Sequence, residues 1–321
     1  MTNSSAALFP PRLPNRIGSA PVRKRISLLI SNKLLLGFVL GFIGVVIFGI
    51  TLPMTRLAVA EIDPFAVSAG RATLAGLAAL LAVLLTRRKI PIAHMGTIFW
   101  IGLLVIVGFP FMSALAMRTV PAAHGGIILA LLPPATALAA VIVAREKPSL
   151  RFWLFSIAGA ALVLLFALRD FDSDIAVGDL WLVAATACAA LGYAFSGRLA
   201  RKMPGWEIIS WALVAWLPFS AIAMWLSDFP PVQILSSNVL VAFLYLGIFS
   251  QFLGFFAWNA GLGLGGVAKV GQIQLLQTFV TLFAAAWLLG ETVDVTTILF
   301  AMAVALVVAM GRNAPVTRKA D

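Results

Sequence analysis

Four polar residues form a stripe in an otherwise apolar segment near the end of the sequence. They stand at positions i, i+3, i+4 and i+7, which is one face of an α-helix: Gln274, Gln277, Thr278 and Thr281. Amide side chains surrounded by hydrocarbon must face protein or a water-filled cavity. The stripe therefore predicts hydrogen bonds to a polar substrate. The alternative is bonding between helices, worth about 0.6–2 kcal/mol per contact. Four polar residues exceed what one helix contact needs, which favours the cavity.

Two ionisable residues lie in or near apolar segments, where such residues are functional candidates by default. Arg71 could attract a substrate carboxylate or phosphate with its planar guanidinium. The alternative is a snorkelling side chain bonded to carbonyls of the first helix. His124 is the candidate proton carrier, because imidazole titrates near physiological pH. A helix-end imidazole that only forms hydrogen bonds is the commoner arrangement.

Further polar and aromatic residues are predicted to line the same cavity. Gln251 and Trp258 are seven residues apart on one helical face, and Tyr193 and Ser196 are three apart. For Trp258 the alternative is an anchor at the membrane interface. For Tyr193 it is a core position with its hydroxyl bonded to backbone. Asn259 is expected to cap its helix.

A hinge and two gate positions are also predicted. Pro133 and Pro134 interrupt an apolar segment, and proline removes a donor from the helical hydrogen-bond ladder. Broken helices near the midplane often bind ligands in inverted-repeat carriers, but a hinge is the favoured interpretation. Glu146 and Glu291 end two helices, where a carboxylate opposes the helix dipole. Each is expected to cap the next helix, or in the case of Glu146 to pair with Arg145 or Arg151, and the alternative is a salt bridge that acts as a gate.

Several kinds of chemistry lack the residues they need. The acidic residues all fall in loops, tails or span ends, which disfavours coupling through a carboxylate relay. Two histidines and the single cysteine, Cys188, are too scattered for a zinc cluster or a catalytic constellation. The run GLGLGG at 261–266 follows a membrane helix rather than a strand, so it is predicted to be a tight turn. No metal and no cofactor are expected.

Composition indicates a membrane protein. Of the 321 residues, 62% are hydrophobic and 11% charged, and the mean hydropathy is +1.04. The net charge of +11 would suggest nucleic-acid binding in a soluble chain, but here membrane orientation and anionic lipid explain it better, so no nucleic acid is expected. Ten blocks are long and apolar enough to span a bilayer: 34–54, 64–86, 96–117, 121–144, 151–168, 178–199, 206–226, 238–260, 267–290 and 294–311. Residues 1–33 and 312–321 are predicted tails.

The distribution of Lys and Arg predicts the orientation. Nineteen of the 23 fall in segments on the side of the N-terminal tail, three on the opposite side, and Arg71 within a span. Because positive residues concentrate in cytoplasmic loops, both tails are predicted to be cytoplasmic. The acidic residues Asp170, Asp172 and Asp174 then lie outside.

The two halves of the sequence resemble each other. Residues 124–146 align without gaps to residues 269–291, at an offset of 145, and each segment ends in Glu. Residues 55–58 and 197–200 match more weakly. Each half, 34–168 and 178–311, holds five predicted helices, an odd number, so the second must insert upside down relative to the first. An all-α membrane fold of two inverted five-helix repeats follows, with the substrate site between them.

The chain resembles the drug/metabolite transporter superfamily, in its ten-helix EamA-type branch. The resemblance rests on the runs FGITLPMTRLAV, DPFAVSAGRATLAG with Arg71, VPAAHGGIILALLPPATALAAVIVARE, FFAWNAGL and GQIQLLQTFVTLFAAAWLLGE. It implies bacterial inner-membrane transport, often export, of small polar metabolites or amino acids. It also implies a cavity lined by helices 1–4 and 6–9. Ninth helices of this type often carry proline where this chain has Thr278, so a kink there does not follow from the resemblance.

The predicted function is therefore a transporter that alternates between outward- and inward-open states around a central cavity. A passive channel is the main alternative, and an integral-membrane enzyme and a lipid-binding scaffold are weaker ones. The expected partners are a small-molecule substrate and the lipid bilayer. Monomer and homodimer are both left open.

Overall fold

The computed structural model describes residues 19–168, 177–290, 295–311 and 314–318. Within these ranges the chain forms ten apolar helical units, numbered α1 to α10 in chain order. Eight are long and apolar enough to cross a membrane, and α5 and α10 contain shorter apolar stretches. The units without a break are α2 (Pro64–Leu85), α5 (Leu150–Leu168), α6 (Val177–Leu199), α7 (Gly205–Trp225) and α10 (Val295–Gly311).

The other five units are broken along their length. The segments are Ser19–Gly49 and Thr51–Ala58 in α1, Met95–Gly102, Leu103–Gly108 and Phe109–Met117 in α3, Ala122–Ile128, Leu129–Leu131 and Leu132–Ile142 in α4, Ser237–Leu244, Tyr245–Leu253 and Gly254–Gly265 in α8, and Val267–Gly271, Gln272–Gln274 and Leu275–Leu289 in α9. Short 3₁₀ turns at Ile92–His94 and Val232–Ile234 precede α3 and α8.

The breaks recur at equivalent places in the two halves. A π-helical segment interrupts α3 at Leu103–Gly108 and α8 at Tyr245–Leu253. A 3₁₀ turn interrupts α4 at Leu129–Leu131 and α9 at Gln272–Gln274. The sequence separation between the two members of each pair of breaks is close to the offset of 145 residues between the two halves. An all-α membrane protein of two inverted repeats, the predicted fold, is therefore confirmed.

Glycines let α1 pack directly against α8. A Cβ atom on Gly37 would lie 2.9 Å from the backbone nitrogen of Gly265, and one on Gly44 would lie 3.0 Å from Trp258. Helices in membranes associate through such small residues, because close backbone approach maximises van der Waals contact. The α8 helix continues to Gly265, beyond the predicted end of the span, and Gly266 at φ 93° turns the chain into α9. The prediction that GLGLGG forms a tight turn is wrong for most of the run, because residues 261–265 continue the helix and the chain turns only at Gly266.

The link between α4 and α5 is held by the C-terminal residues. Strand β1 (Glu146–Pro148) pairs antiparallel with strand β2 (Val316–Arg318), and the buried Ala314 lies just before β2. This end of the bundle also carries the α2–α3, α6–α7 and α8–α9 links. We name it the inner end, and the opposite one the outer end.

Candidate substrate site

A small polar cavity lies between the two halves, near the middle of the bundle. Its volume is about 10 Å³, about what one water molecule needs. The lining side chains come from α1, α2, α3, α6, α8 and α9: Phe48, Thr51, Arg71, Val105, Phe109, Ala189, Tyr193, Ser250, Gln251, Phe255 and Gln277. The predicted site residues Arg71, Tyr193, Gln251 and Gln277 therefore meet in one place.

Arg71 is the charged group of this cavity. Its side chain is 1% exposed, and Nη2 donates a hydrogen bond of 2.9 Å to the Ser250 hydroxyl. That hydroxyl also lies 2.8 Å from the Thr51 hydroxyl. The other two guanidinium nitrogens, Nε and Nη1, have no hydrogen-bond partner in the protein. The alternative of bonding to carbonyls of the first helix is wrong, because the partner is a hydroxyl of α8.

Two glutamines add amide groups to the cavity wall. Gln251 donates through Nε2 to the carbonyls of Val105 and Ile106, at 3.4 and 3.3 Å, in the π-helical segment of α3. The π-helical segment shifts the register of the α3 backbone. The carbonyls of Val105 and Ile106 there face the side chain of Gln251, which belongs to the second repeat. Gln277 is also buried, and its Oε1 has no partner in the protein. An unpaired buried amide oxygen remains available to a donor on a bound molecule.

Aromatic side chains form the rest of the wall. Tyr193 stacks on Phe48 with ring centroids 6.3 Å apart, and Phe255 lies 4.9 Å from Phe48. Trp258 stands behind this layer, 5.2 Å from Tyr193 and edge-on to it. Trp258 is fully buried and does not line the cavity, and its burial also excludes the interfacial anchor. Ser196 is buried and likewise lies away from the cavity.

The other three members of the α9 stripe contact neighbouring helices. The Thr136 hydroxyl donates to Gln274 Oε1 at 3.1 Å, and Thr278 donates to the Gly126 carbonyl at 2.9 Å. Thr281 donates to the Gly49 carbonyl at 2.8 Å. These bonds join α9 to α4 and to the end of the first segment of α1. The structure thus brings Gln277 to the cavity and uses Gln274, Thr278 and Thr281 between helices.

The break predicted in α4 is present, with a counterpart in α9. A 3₁₀ turn at Leu129–Leu131 precedes Pro133 and Pro134, which stand in the first turn of the helix that follows. In α9 the 3₁₀ turn occurs without proline, just before Thr278. Neither proline lines the cavity, which is compatible with the hinge interpretation.

Glu146 connects the two repeats at the inner end. Its carboxylate is fully buried and accepts hydrogen bonds from the backbone nitrogens of Val267 and Ala268, at 3.1 and 2.9 Å. It also pairs with Arg201 at 3.1 Å. A carboxylate is favourable at a helix N-terminus, so Glu146 caps α9. The predictions that Glu146 pairs with Arg145 or Arg151, or caps the next helix, are therefore wrong. Glu291 lies outside the described residues.

His124 lies at the outer end. Its Nε2 is 2.8 Å from Asp179 Oδ1, and the two side chains belong to α4 and α6. His124 is not part of the cavity wall, and Asp179 was not foreseen as its partner. Asn259 was wrongly expected to cap α8: it lies inside that helix and donates to the Gly205 carbonyl at 3.1 Å.

Two hydroxyl groups of the site were not predicted from the sequence. Thr51 follows Gly49, where α1 is broken, and Ser250 lies in the π-helical segment of α8. Threonine and serine are common in membrane helices, so single residues give no signal. The signal that could have found Ser250 is Gln251 beside it. Among the residues the structure describes, no group of three or more His, Cys, Asp or Glu side chains could hold a metal ion.

Comparison with known families explains this architecture. The sequence profile of the EamA-like transporter family matches residues 35–168 and again residues 176–310. The chain belongs to the EamA-like transporter family. It is therefore a multi-pass integral membrane protein of a transporter family, as the resemblance in the sequence indicated.

Two proteins of Bacillus subtilis (strain 168) are similar to the chain. The uncharacterized transporter YdeK is 37% identical over 283 residues, which are 88% of this chain and 99% of YdeK. The uncharacterized transporter YcxC is 24% identical over 260 residues, 77% of this chain and 83% of YcxC. A solved crystal structure at 20% identity superposes with a TM-score of 0.65 over 86% of this chain and 96% of its own, so it shares the fold.

Proposed function

We propose that this EamA-like transporter is a carrier that exports small metabolites bearing a carboxylate, amino acids among them. It works by alternating access around the central cavity and has no enzymatic activity. We further propose that it resides in the bacterial cell (inner) membrane with both termini in the cytoplasm, as the distribution of Lys and Arg predicts.

The environment of Arg71 is the observation that supports a substrate bearing a carboxylate. A buried charge is costly unless it is paired, and no acidic side chain lines the cavity in the described part of the chain. A substrate carboxylate would supply the missing charge and accept from the two unpartnered guanidinium nitrogens. Gln277, Thr51 and Ser250 offer polar groups nearby, and the aromatic wall suits the apolar remainder of a small metabolite.

Contacts at both ends support alternating access. At the inner end Glu146 of the first repeat binds the start of α9 in the second repeat. At the outer end His124 of the first repeat pairs with Asp179 of the second. Opening one end requires breaking one set of contacts while the other holds. With both sets of contacts in place the central cavity is closed at both ends, which is the occluded state that alternating access passes through.

Flux measurements in proteoliposomes test this function. We expect saturable uptake of labelled amino or carboxylic acids and counterflow when unlabelled substrate is loaded inside. A passive channel would instead give flux that does not saturate and no counterflow. In cells, overexpression should lower the internal pool of the substrate, because the proposed direction is export. A raised internal pool would contradict the direction without contradicting the carrier.

A further inference from the structure

A second pocket, separate from the central cavity, opens at the inner end between α3 and α6. Its volume is about 180 Å³. The lining residues are His94, Thr97, Phe195, Arg198, Leu199 and Lys202. His94 lies in the 3₁₀ turn before α3, and Thr97 lies in the first turn of α3. Phe195, Arg198 and Leu199 lie at the end of α6, and Lys202 lies in the turn that follows it. The pocket therefore combines basic and hydroxyl groups with two apolar side chains.

The charge of this pocket is uncompensated by nearby acids. At the inner end of the described residues the acids are Glu146 and Glu207, and both are paired elsewhere: Glu146 with Arg201 at 3.1 Å, Glu207 with Arg88 at 3.3 Å. Arg198 uses Nη1 to hold the Val143 carbonyl at 3.2 Å, which leaves further guanidinium donors. Lys202 is exposed. The pocket thus presents two permanent positive charges to an anion.

The pocket continues into the surface that faces lipid. On α6, Leu191, Phe195 and Arg198 are four and three residues apart, which is one helical face, and Lys202 lies in the turn that follows the end of α6 at Leu199. Leu191 and, on α3, Trp100 are exposed large apolar side chains one turn deeper. An anion that enters here therefore lies directly above an apolar track along the two helices. A soluble phosphate compound would leave that track unused.

We propose that this pocket binds the phosphate headgroup of an anionic phospholipid, with an acyl chain lying along α3 and α6. Basic pockets between membrane helices on the cytoplasmic side suit such headgroups, since that leaflet carries anionic lipids. Arg198 and Lys202 contact the phosphate, and Thr97 and His94 donate hydrogen bonds to it. Phe195 and Leu199 pack against the glycerol and the upper acyl chain. The lipid joins α3 of the first repeat to α6 of the second.

Lipid binding to the purified full-length protein tests the proposal. The probes are dioleoyl-phosphatidylglycerol, dioleoyl-phosphatidylcholine and glycerol 3-phosphate, and the readouts are bound lipid by native mass spectrometry and the melting temperature. We expect phosphatidylglycerol to bind about tenfold more tightly than phosphatidylcholine, and the R198Q/K202Q variant to lose that difference, as the loss of charged hydrogen bonds predicts. Glycerol 3-phosphate should give no shift in melting temperature.

The matched control is the K89Q/K147Q variant, which removes two exposed positive charges at the same end outside the pocket. It should keep the preference for phosphatidylglycerol. Equal losses in both variants would show diffuse surface attraction and overturn the site. Equal binding of the two lipids would also overturn it, and protection by glycerol 3-phosphate would overturn the lipid as occupant. If R198Q/K202Q does not fold, the single exposed change K202Q decides, with a loss of at least threefold expected and no loss contradicting the proposal.

Discussion

At the scale of single residues, Gln277 is the member of the α9 stripe that reaches the central cavity. We expect Q277L to weaken apparent substrate affinity about fivefold, because it removes one hydrogen bond worth about 1 kcal/mol. The variant should still insert, since leucine is favoured in hydrocarbon. The measurement is concentration-dependent flux in vesicles, paired with the melting temperature in detergent.

Two neighbouring glutamines serve as controls for this prediction. Gln274 accepts from Thr136 and lies off the cavity, so Q274L should lower the melting temperature and leave affinity unchanged. Gln272 approaches Gly311 of α10, so Q272L should not change affinity either. Equal affinity defects in all three variants would contradict the assignment of Gln277 to the cavity.

Glu146 carries a second prediction at the residue scale. The change E146Q removes the charge that pairs with Arg201 and weakens the cap of α9. Breaking a fully buried ion pair on one side costs about 3–5 kcal/mol, and we expect a smaller cost here because the Arg201 side chain is 20% exposed. We expect a clear loss of thermal stability, or a carrier trapped with its inner end open that labels from that side. The exposed Arg145, its neighbour in sequence, provides the control R145Q, and a similar loss in both would refute the cap.

At the scale of elements, the contact between α1 and α8 depends on glycine. In G37A the new Cβ atom would meet the backbone of Gly265 at 2.9 Å, and a backbone atom cannot move aside as a side chain can. We expect destabilisation of about 1–3 kcal/mol, as for other overpacked contacts. The matched control is G96A, at a helical position with nothing within 4 Å. Equal melting temperatures for G37A and the unaltered protein would show that the helices do not pack this closely.

Periodicity in the sequence predicted the helices better than it predicted contacts, and of the five broken helices only the break in α4 was predicted, from Pro133 and Pro134. The α9 stripe was correctly placed on one face, but a helical face as wide as this one meets α1, α4 and the cavity at different depths. Gln277 and Gln274 therefore have different surroundings although they are one turn apart. The partners of Glu146 are 55 and 121 residues away in sequence, and such long-range pairs follow only from the packing of the two repeats.

The surroundings of Arg71 and Trp258 also depend on packing that could not be predicted from the sequence pattern. An arginine within an apolar span indicated a functional site, and the structure brings it to the cavity. Its partner Ser250 was not predicted, because hydroxyls are frequent in membrane helices and only the neighbouring Gln251 pointed to that position. Trp258 shares a face with Gln251, yet the six residues between them include Leu253, where the π-helical segment ends. The register shift there turns Trp258 behind Tyr193, and no pattern of residue types indicates such a segment.

At the scale of the whole molecule, the charge distribution predicts the topology. Reporters fused to either terminus should be cytoplasmic, and one inserted near Asp172 should be external. Asp172 lies outside the described residues, in the link between the two repeats. An even number of spans places both termini on one side, so opposite locations of the two termini would contradict the inverted repeat. Both termini outside would keep the repeat and reverse the proposed direction of insertion.

The central claim is that Arg71 recognises the carboxylate of the transported molecule. The most direct measurement compares counterflow of a transported acid with that of its amide, in the unaltered protein and in R71Q. The guanidinium of Arg71 should make the unaltered protein prefer the acid over the amide by about tenfold or more. The R71Q variant should transport the acid and the amide equally poorly. R71K, which keeps the charge and loses the guanidinium, should retain part of the preference. An R71Q variant that still prefers the acid as strongly as the unaltered protein would contradict the claim.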